Sequence, residues 1–183
     1  MDSKTTTSIP ALRDIDHTQG PLSAVLLLVI YGNYQCPQSA QANATVKKLR
    51  KKLGKQLCFV FRHLPICDRY PQSYRTAEAA EAAAVQGRFW EMHEKLFANQ
   101  DALDDASLVE YASELDLEIG QFLRELGYHT HTDRVQADID AASEDGVQDA
   151  PTFLISVRHK GHKNLEALVH QILTAALDNK NSD

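Results

Sequence analysis

Of the three cysteines in this 183-residue chain, Cys36 has the setting of a reactive thiol: it opens Cys36-Pro37-Gln38-Ser39 directly after an apolar run. A thiol at the amino end of a helix faces unpaired N–H groups and the positive end of the helix dipole, both of which favour the thiolate. Such placement lowers a cysteine pKa from about 8.5 into the range of roughly 3.5–7.5. The chemistry offered is nucleophilic attack on a disulfide sulfur. Ser39 stands where a dithiol pair would have its second cysteine. A hydroxyl can neither form nor resolve a disulfide, so release of a mixed disulfide needs another thiol. Ser39 can hydrogen-bond the thiolate or cap a backbone group, and the sequence leaves both roles open. The surrounding Gly, Asn, Gln and Pro point to an accessible loop–helix junction.

A second element lies far away in Ala150-Pro151-Thr152, at the start of a strand-like run. Proline is tolerated at the first residue of a strand, and a cis bond there would expose the Ala150 backbone to an extended ligand. Cys36 and Ser39 are the candidate catalytic residues, with Pro151 a candidate if its bond is cis, and Pro37, Gln38 and Ala150 are the candidate substrate contacts. Cys67 is a candidate resolving thiol, provided its Cα comes within about 7 Å of that of Cys36. Cys58, opening a strand, reads as core. The cysteine spacing lacks the pairing of a zinc site, so no metal is expected. His129, His131 and Asp133 read as a solvated polar cluster.

The elements that position these residues follow from periodicity. Ala24 to Tyr31 is continuously apolar, as in a central strand covered on both faces. A helix begins around Cys36-Pro37, with proline in its first turn, and runs to about Lys52, where Gly54 supplies the stop. Its inner face reads as Ala42, Val46, Leu49 and Leu53, and its lysines and arginine complement the negative dipole end. Leu57 to His63 is a second, parallel strand reached by a right-handed crossover, so the loop carrying Cys67 emerges on the Cys36 edge. Helices follow at about Gln72–Gln86, Phe89–Asn99, Ala106–Leu115, Glu118–Leu126 and Thr132–Glu144. Asp104-Asp105 and Asp116 are the cap candidates. Thr152 to Ser156 is a strand, Val157 to His159 a short partner, and Leu165 to Leu177 a final helix. The domain reading is a flexible segment over 1–20, a core from 21–70 and 147–178, and an inserted helical domain over 71–146.

Composition narrows the function class. The formal net charge of -6 gives no support for nucleic-acid binding. The longest apolar run is too short to span a bilayer, and Asp14 and Asp16 stand where a signal peptide would be basic. The expectation is a cytoplasmic protein with no membrane insertion.

Several blocks together resemble the DsbA-like branch of the thioredoxin superfamily, over about residues 17 to 177. They are His17-Thr18-Gln19-Gly20-Pro21, Tyr31 to Pro37, Phe59-Val60-Phe61-Arg62-His63-Leu64-Pro65, Ala77 to Ala80, Gly87-Arg88-Phe89-Trp90-Glu91-Met92-His93 and Ala150 to Phe153. The chain looks especially like short bacterial members without a secretion signal, some of them fused to sodium/proton antiporters. The resemblance implies an α/β thioredoxin-like fold with a mixed central sheet and an inserted all-helical domain. It also implies Cys36 as nucleophile and Pro151 as the cis-proline facing it. Ser39 departs from the usual cysteine, and Ser156-Val157 replaces the Asn-Gly turn of the last hairpin.

The function expected is thiol–disulfide exchange or isomerisation through the single thiol Cys36, on protein thiols and disulfides or glutathione mixed disulfides. No cofactor is expected beyond glutathione as co-substrate. The alternatives are a redox-inactive peptide-binding module and a kappa-class-like glutathione transferase; that class carries serine where this chain has Cys36.

Overall fold

The computed structural model describes residues 11–158 and Ala167. The helix expected at Leu165 to Leu177 lies outside the described residues but for Ala167. Four strands form one mixed sheet in the order β1-β3-β2-β4, with β1 at His17–Gln19, β2 at Leu26–Gly32, β3 at Leu57–His63 and β4 at Thr152–Val157. The β2–β3 pair is parallel, while β1 and β4 pair antiparallel with β3 and β2. The helix α1, Pro37–Leu53, makes the crossover between the parallel strands. Between β3 and β4 lie α2 (Ser73–Val85), α3 (Phe89–Ala98), α4 (Asp105–Glu114), α5 (Ile119–Gly127) and α6 (Thr132–Glu144).

The unbroken apolar run of β2 has a simple cause: both faces of the sheet are covered. Leu28 and Ile30 pack with Phe59, Phe61 and the α1–α3 side chains, whereas Val29 and Tyr31 pack with Val60, Leu64, Ala142 and Val147. Alternation along the strand thus feeds two apolar layers rather than one core and one wet face. The last residue of β2 must be small. A Cβ on Gly32 would lie 2.4 Å from the Phe61 ring.

Helix ends follow the capping signals, with one exception. Asp104 caps α4, accepting from the N–H groups of Ala106 and Ser107 at 3.0 and 3.1 Å. Gly54 ends α1 with φ of 53° and its N–H on the Arg50 carbonyl. Asp116, expected to cap α5, instead takes positive φ in the turn, and Glu118 makes the cap. On α1, Ala42 and Val46 are buried, but Leu49 faces outward at 37% exposure. Seventeen helical residues rotate past the sheet, and Leu49 falls on the far edge of the apolar stripe.

The N-terminal segment needs the largest correction. It was expected to be flexible through residue 20, yet His17–Gln19 pair with Phe59 to Phe61 of β3. Buried Arg62 is the reason. Its guanidinium, 2% exposed, reaches Asp16 at 2.8 Å, the Tyr31 hydroxyl at 2.8 Å and the Ala11 carbonyl at 2.6 Å. A buried cation without a partner carries a heavy desolvation penalty, so the segment supplying Asp16 is held against the sheet. Arg13 extends the network to Asp138, which also accepts from the His63 N–H.

Two smaller expectations also change. Ser156 and Val157 do not turn; they continue β4 opposite Leu27 and Leu26. His129 and His131 do not cluster: His129 pairs with Glu78 and buried His131 with Glu125. Among the described residues no helix is long and apolar enough to cross a membrane.

Candidate active site around Cys36

The site is built where β2 gives way to α1. Asn33 shapes the turn: its carbonyl accepts from the Cys36 N–H at 3.1 Å and its side-chain oxygen from the Gln35 N–H at 2.9 Å. Pro37 then opens the helix, where its missing N–H removes no helical bond. Cys36 is the N-cap residue, in extended conformation, and its sulfur faces the N–H groups of Gln38 and Ser39. The first turn holds no acidic residue to compete for that end of the dipole, and Arg50, Lys51 and Lys52 occupy the last turn.

Ser39 fills both roles the sequence left open. Its hydroxyl oxygen accepts from the Asn33 N–H at 3.2 Å, and the hydroxyl also hydrogen-bonds Cys36. From across the sheet edge, the Ala150 carbonyl accepts the Cys36 S–H at 3.5 Å. The Ala150–Pro151 peptide is cis. Cys36, Ser39, Ala150 and Pro151 thus meet at one place.

The electrostatics favour ionisation. Burial pushes the Cys36 thiol up, but hydrogen bonds from the Tyr70 hydroxyl, from Ser39 and from the Gln38 N–H outweigh it, and the thiol lies below its ordinary value. Cys58 goes the other way. It sits buried at the opposite end of the sheet, beside Leu27, and burial pushes its thiol up. The contrast separates a reactive thiol from a packing one.

Cys36 is not accessible in the manner expected of a loop–helix junction. It is 1% exposed, and Ser39 is fully buried. The Ala150 carbonyl contacts Cys36, and Gln72, after the loop that follows β3, bonds to Gln35 of the turn. Cys67, on that loop, is exposed and unbridged, with its sulfur 3.9 Å from the Ser73 hydroxyl. It stands on the rim of an open cleft of 540 Å³ between this loop and α6, lined in part by Leu64, Ile66, Tyr74, Ile139 and Val147.

Four site residues escaped sequence reasoning. Gln72 and Gln35 clasp each other: the Gln72 N–H donates to Gln35 Oε1 at 2.9 Å and Gln35 Nε2 to Gln72 Oε1 at 3.2 Å. Gln100, beyond α3, donates to the carbonyls of Tyr34 and Cys36 at 2.6 and 2.9 Å. Tyr70 was within reach of inference, because the parallel strands put its loop on the Cys36 edge. Gln100 left no local signal.

One further cluster lies beside Tyr34, whose ring centre is 5.8 Å from that of His63. His17 and His63 hold Glu81 between them at 2.9 and 2.8 Å, close enough together to ligate a metal ion. Those spacings are hydrogen-bond lengths, and the Arg134 guanidinium lies 3.6 Å from the same carboxylate. A cation there would meet another cation, so the cluster is described as a buried ion-pair network. The two imidazoles outweigh the burial of Glu81 and hold its carboxyl well below the usual range.

Comparison with known proteins agrees with the fold. A family model described as "Thioredoxin" matches residues 13–174. The chain is 40% identical over 168 residues to the Na(+)/H(+) antiporter NhaA 3 of Salinispora tropica, covering 91% of this chain and 26% of that protein. It therefore spans about a quarter of the length of that relative. Among solved structures, a thioredoxin-like oxidoreductase from Silicibacter pomeroyi superposes with a TM-score of 0.71 at 21% identity, over 93% of this chain and 95% of that one. The thiol-disulfide exchange protein alpha-DsbA2 from Wolbachia pipientis superposes with a TM-score of 0.65 at 16% identity, over 85% and 86%. The chain belongs to the thioredoxin family, and its mixed sheet with a helical insertion is the DsbA-like form of that fold.

Proposed function

We propose that the protein is a thiol–disulfide oxidoreductase that works through one nucleophilic sulfur, Cys36. The observation that carries this reading is the convergence on that sulfur of the first N–H groups of α1, the Ser39 and Tyr70 hydroxyls and the Ala150 carbonyl. The thiolate attacks one sulfur of a disulfide; a bond forms to Cys36 Sγ, the old S–S bond breaks, and its electron pair leaves with the other sulfur as thiolate. Ala150 offers its backbone to the extended substrate, with Pro37 and Gln38 on the opposite side. Because Ser39 cannot displace the bound sulfur, a second thiolate from outside, such as glutathione, attacks the mixed disulfide and frees Cys36. Protein and glutathione mixed disulfides are the substrates that fit this cycle. It suits a reducing, cytoplasm-like compartment where external thiol is abundant. Three unbridged cysteines are consistent with that setting.

The test is turnover of a peptide–glutathione mixed disulfide in the presence of reduced glutathione. Wild-type protein should accelerate deglutathionylation and Cys36→Ala should not. Equal rates for the two would reject the reading.

The burial of Cys36 favours a second reading, a redox-inactive groove that holds an extended peptide. It requires peptide affinity to survive Cys36→Ala unchanged while neither protein shows turnover.

A further inference from the structure

The longest stretch of the chain without an Asp or Glu runs from His17 to Cys67, and six of the 19 Lys and Arg residues crowd into it between Lys47 and Lys55. The helix dipole accounts for only part of this. Its field fades beyond the last turn of α1, which Arg50, Lys51 and Lys52 already fill. Lys47 and Lys48 lie earlier in the helix, and Lys55 lies past its end. All five lysines are exposed, and Arg50 is half-buried. Among the described residues the only ion pair of the six joins Lys47 to Glu94. Lys47, Arg50 and Lys51, together with Glu94, line an open hollow of 450 Å³, room enough for a phosphodiester headgroup.

Exposed apolar side chains stand at the same end of the molecule. The parallel strands β2 and β3 both start there and α1 ends there: Leu26 pairs with Leu57, and Lys55 precedes Leu57 by two residues. Val25, next to Leu26, is 54% exposed, and Leu22, in the preceding loop, is 60% exposed. Arg158, also exposed, is tied to this loop by its N–H, which donates to the Val25 carbonyl at 2.7 Å.

We propose that this end of the protein docks on an anionic lipid surface, with the cations of Lys47 to Lys55 on the headgroup phosphates and Leu22 and Val25 entering between the headgroups. A bilayer interface takes both kinds of side chain at once, whereas an acidic peptide would answer the charge and leave the two aliphatics in water. A nucleic acid fits less well. Five of the six cations are lysines, which meet phosphate as point charges rather than as a fixed fork. No aromatic side chain between Pro21 and Lys55 is exposed to stack on a base. The net charge of -6 is no obstacle, because exposed charges farther away than about 10 Å are largely screened. Across the 17 residues of α1, at about 1.5 Å each, Cys36 stands about 25 Å from this face. Docking therefore leaves Cys36 on the aqueous side, and it holds whatever reaction Cys36 performs.

The test is sedimentation of the full chain with lipid vesicles at about 0.1 M salt. Vesicles of phosphatidylcholine mixed with phosphatidylglycerol should carry the protein down, and vesicles of phosphatidylcholine alone should not. Raising the salt to about 1 M, where the screening length falls to about 3 Å, should release it. Lys48→Gln with Lys52→Gln should weaken binding about 25-fold, at about fivefold per charge. Leu22→Ser with Val25→Ser should weaken it about tenfold at unchanged charge. Arg69→Gln with Arg124→Gln, which removes two exposed cations on the Cys36 edge and on α5, should leave binding at the wild-type level. No sedimentation with the mixed vesicles, equal sedimentation with phosphatidylcholine alone, or an equal loss in the Arg69 and Arg124 variant would overturn the proposal. Retention on polyglutamate or duplex DNA without sedimentation on vesicles would give the face a different partner and overturn it too. Unchanged affinity in the Leu22 and Val25 variant would overturn the part assigned to the aliphatics.

Discussion

The Cys36 thiol donates to the Ala150 carbonyl at 3.5 Å, joining two positions 114 residues apart in the chain. The contact exists only in the thiol form. On ionisation the carbonyl opposes the new charge, so the hydroxyl and N–H donors on the other sides must outweigh both it and burial. Reactivity at Cys36 is therefore a balance among named neighbours, and each can be removed singly.

Ser39→Ala removes two bonds at once. The Cys36 titration should shift to higher pH, and the Asn33 N–H, buried with its residue, loses its acceptor. An unsatisfied buried donor costs about 1–3 kcal/mol, so urea unfolding should show a lower midpoint at unchanged slope.

Ser39→Cys restores the second sulfur of the motif. Under mild oxidation this variant should form an internal disulfide between positions 36 and 39, read as loss of two free thiols by thiol counting. The wild type should retain all three cysteines as titratable thiols after mild oxidation and reduction of external adducts.

The strand–helix–strand unit and all five inserted helices were legible in the sequence, because each has its own periodic or capping signal, whereas the cis Ala150–Pro151 bond was legible only through the family resemblance. The N-terminal strand was not. His17-Thr18-Gln19 has no apolar alternation, and what holds it is Asp16 on the buried Arg62, a long-range ion pair that no local window contains. Cys36 could be read from its place at a strand–helix junction, and Pro151 from the family resemblance. Gln100 could not, since a glutamine in a loop gains its role only when α3 brings it under the Cys36 carbonyl.

Gln100→Ala should loosen the active-site turn without disturbing the sheet. Losing hydrogen bonds worth about 1 kcal/mol should slow exchange roughly fivefold, while the far-ultraviolet circular dichroism spectrum stays unchanged.

Glu81 sets an acid limit on stability. Its folded pKa is depressed, chiefly by the His17 and His63 hydrogen bonds acting against burial. Its contribution is therefore fully present above the ordinary carboxylate value and is lost as pH falls through the folded one. Wild-type protein should lose stability progressively below about pH 4.5. Glu81→Gln should cost about 3 kcal/mol at neutral pH, in line with breaking a buried pair, and should flatten that acid dependence. Denaturant midpoints from pH 7 down to pH 3 provide the check.

Intact-protein mass spectrometry after treatment with oxidised glutathione reaches the central claim most directly. A single glutathione adduct on Cys36, removed by reduced glutathione and absent in Cys36→Ala, is the result this account predicts. An unmodified Cys36, or an internal disulfide between Cys36 and Cys67, would contradict it.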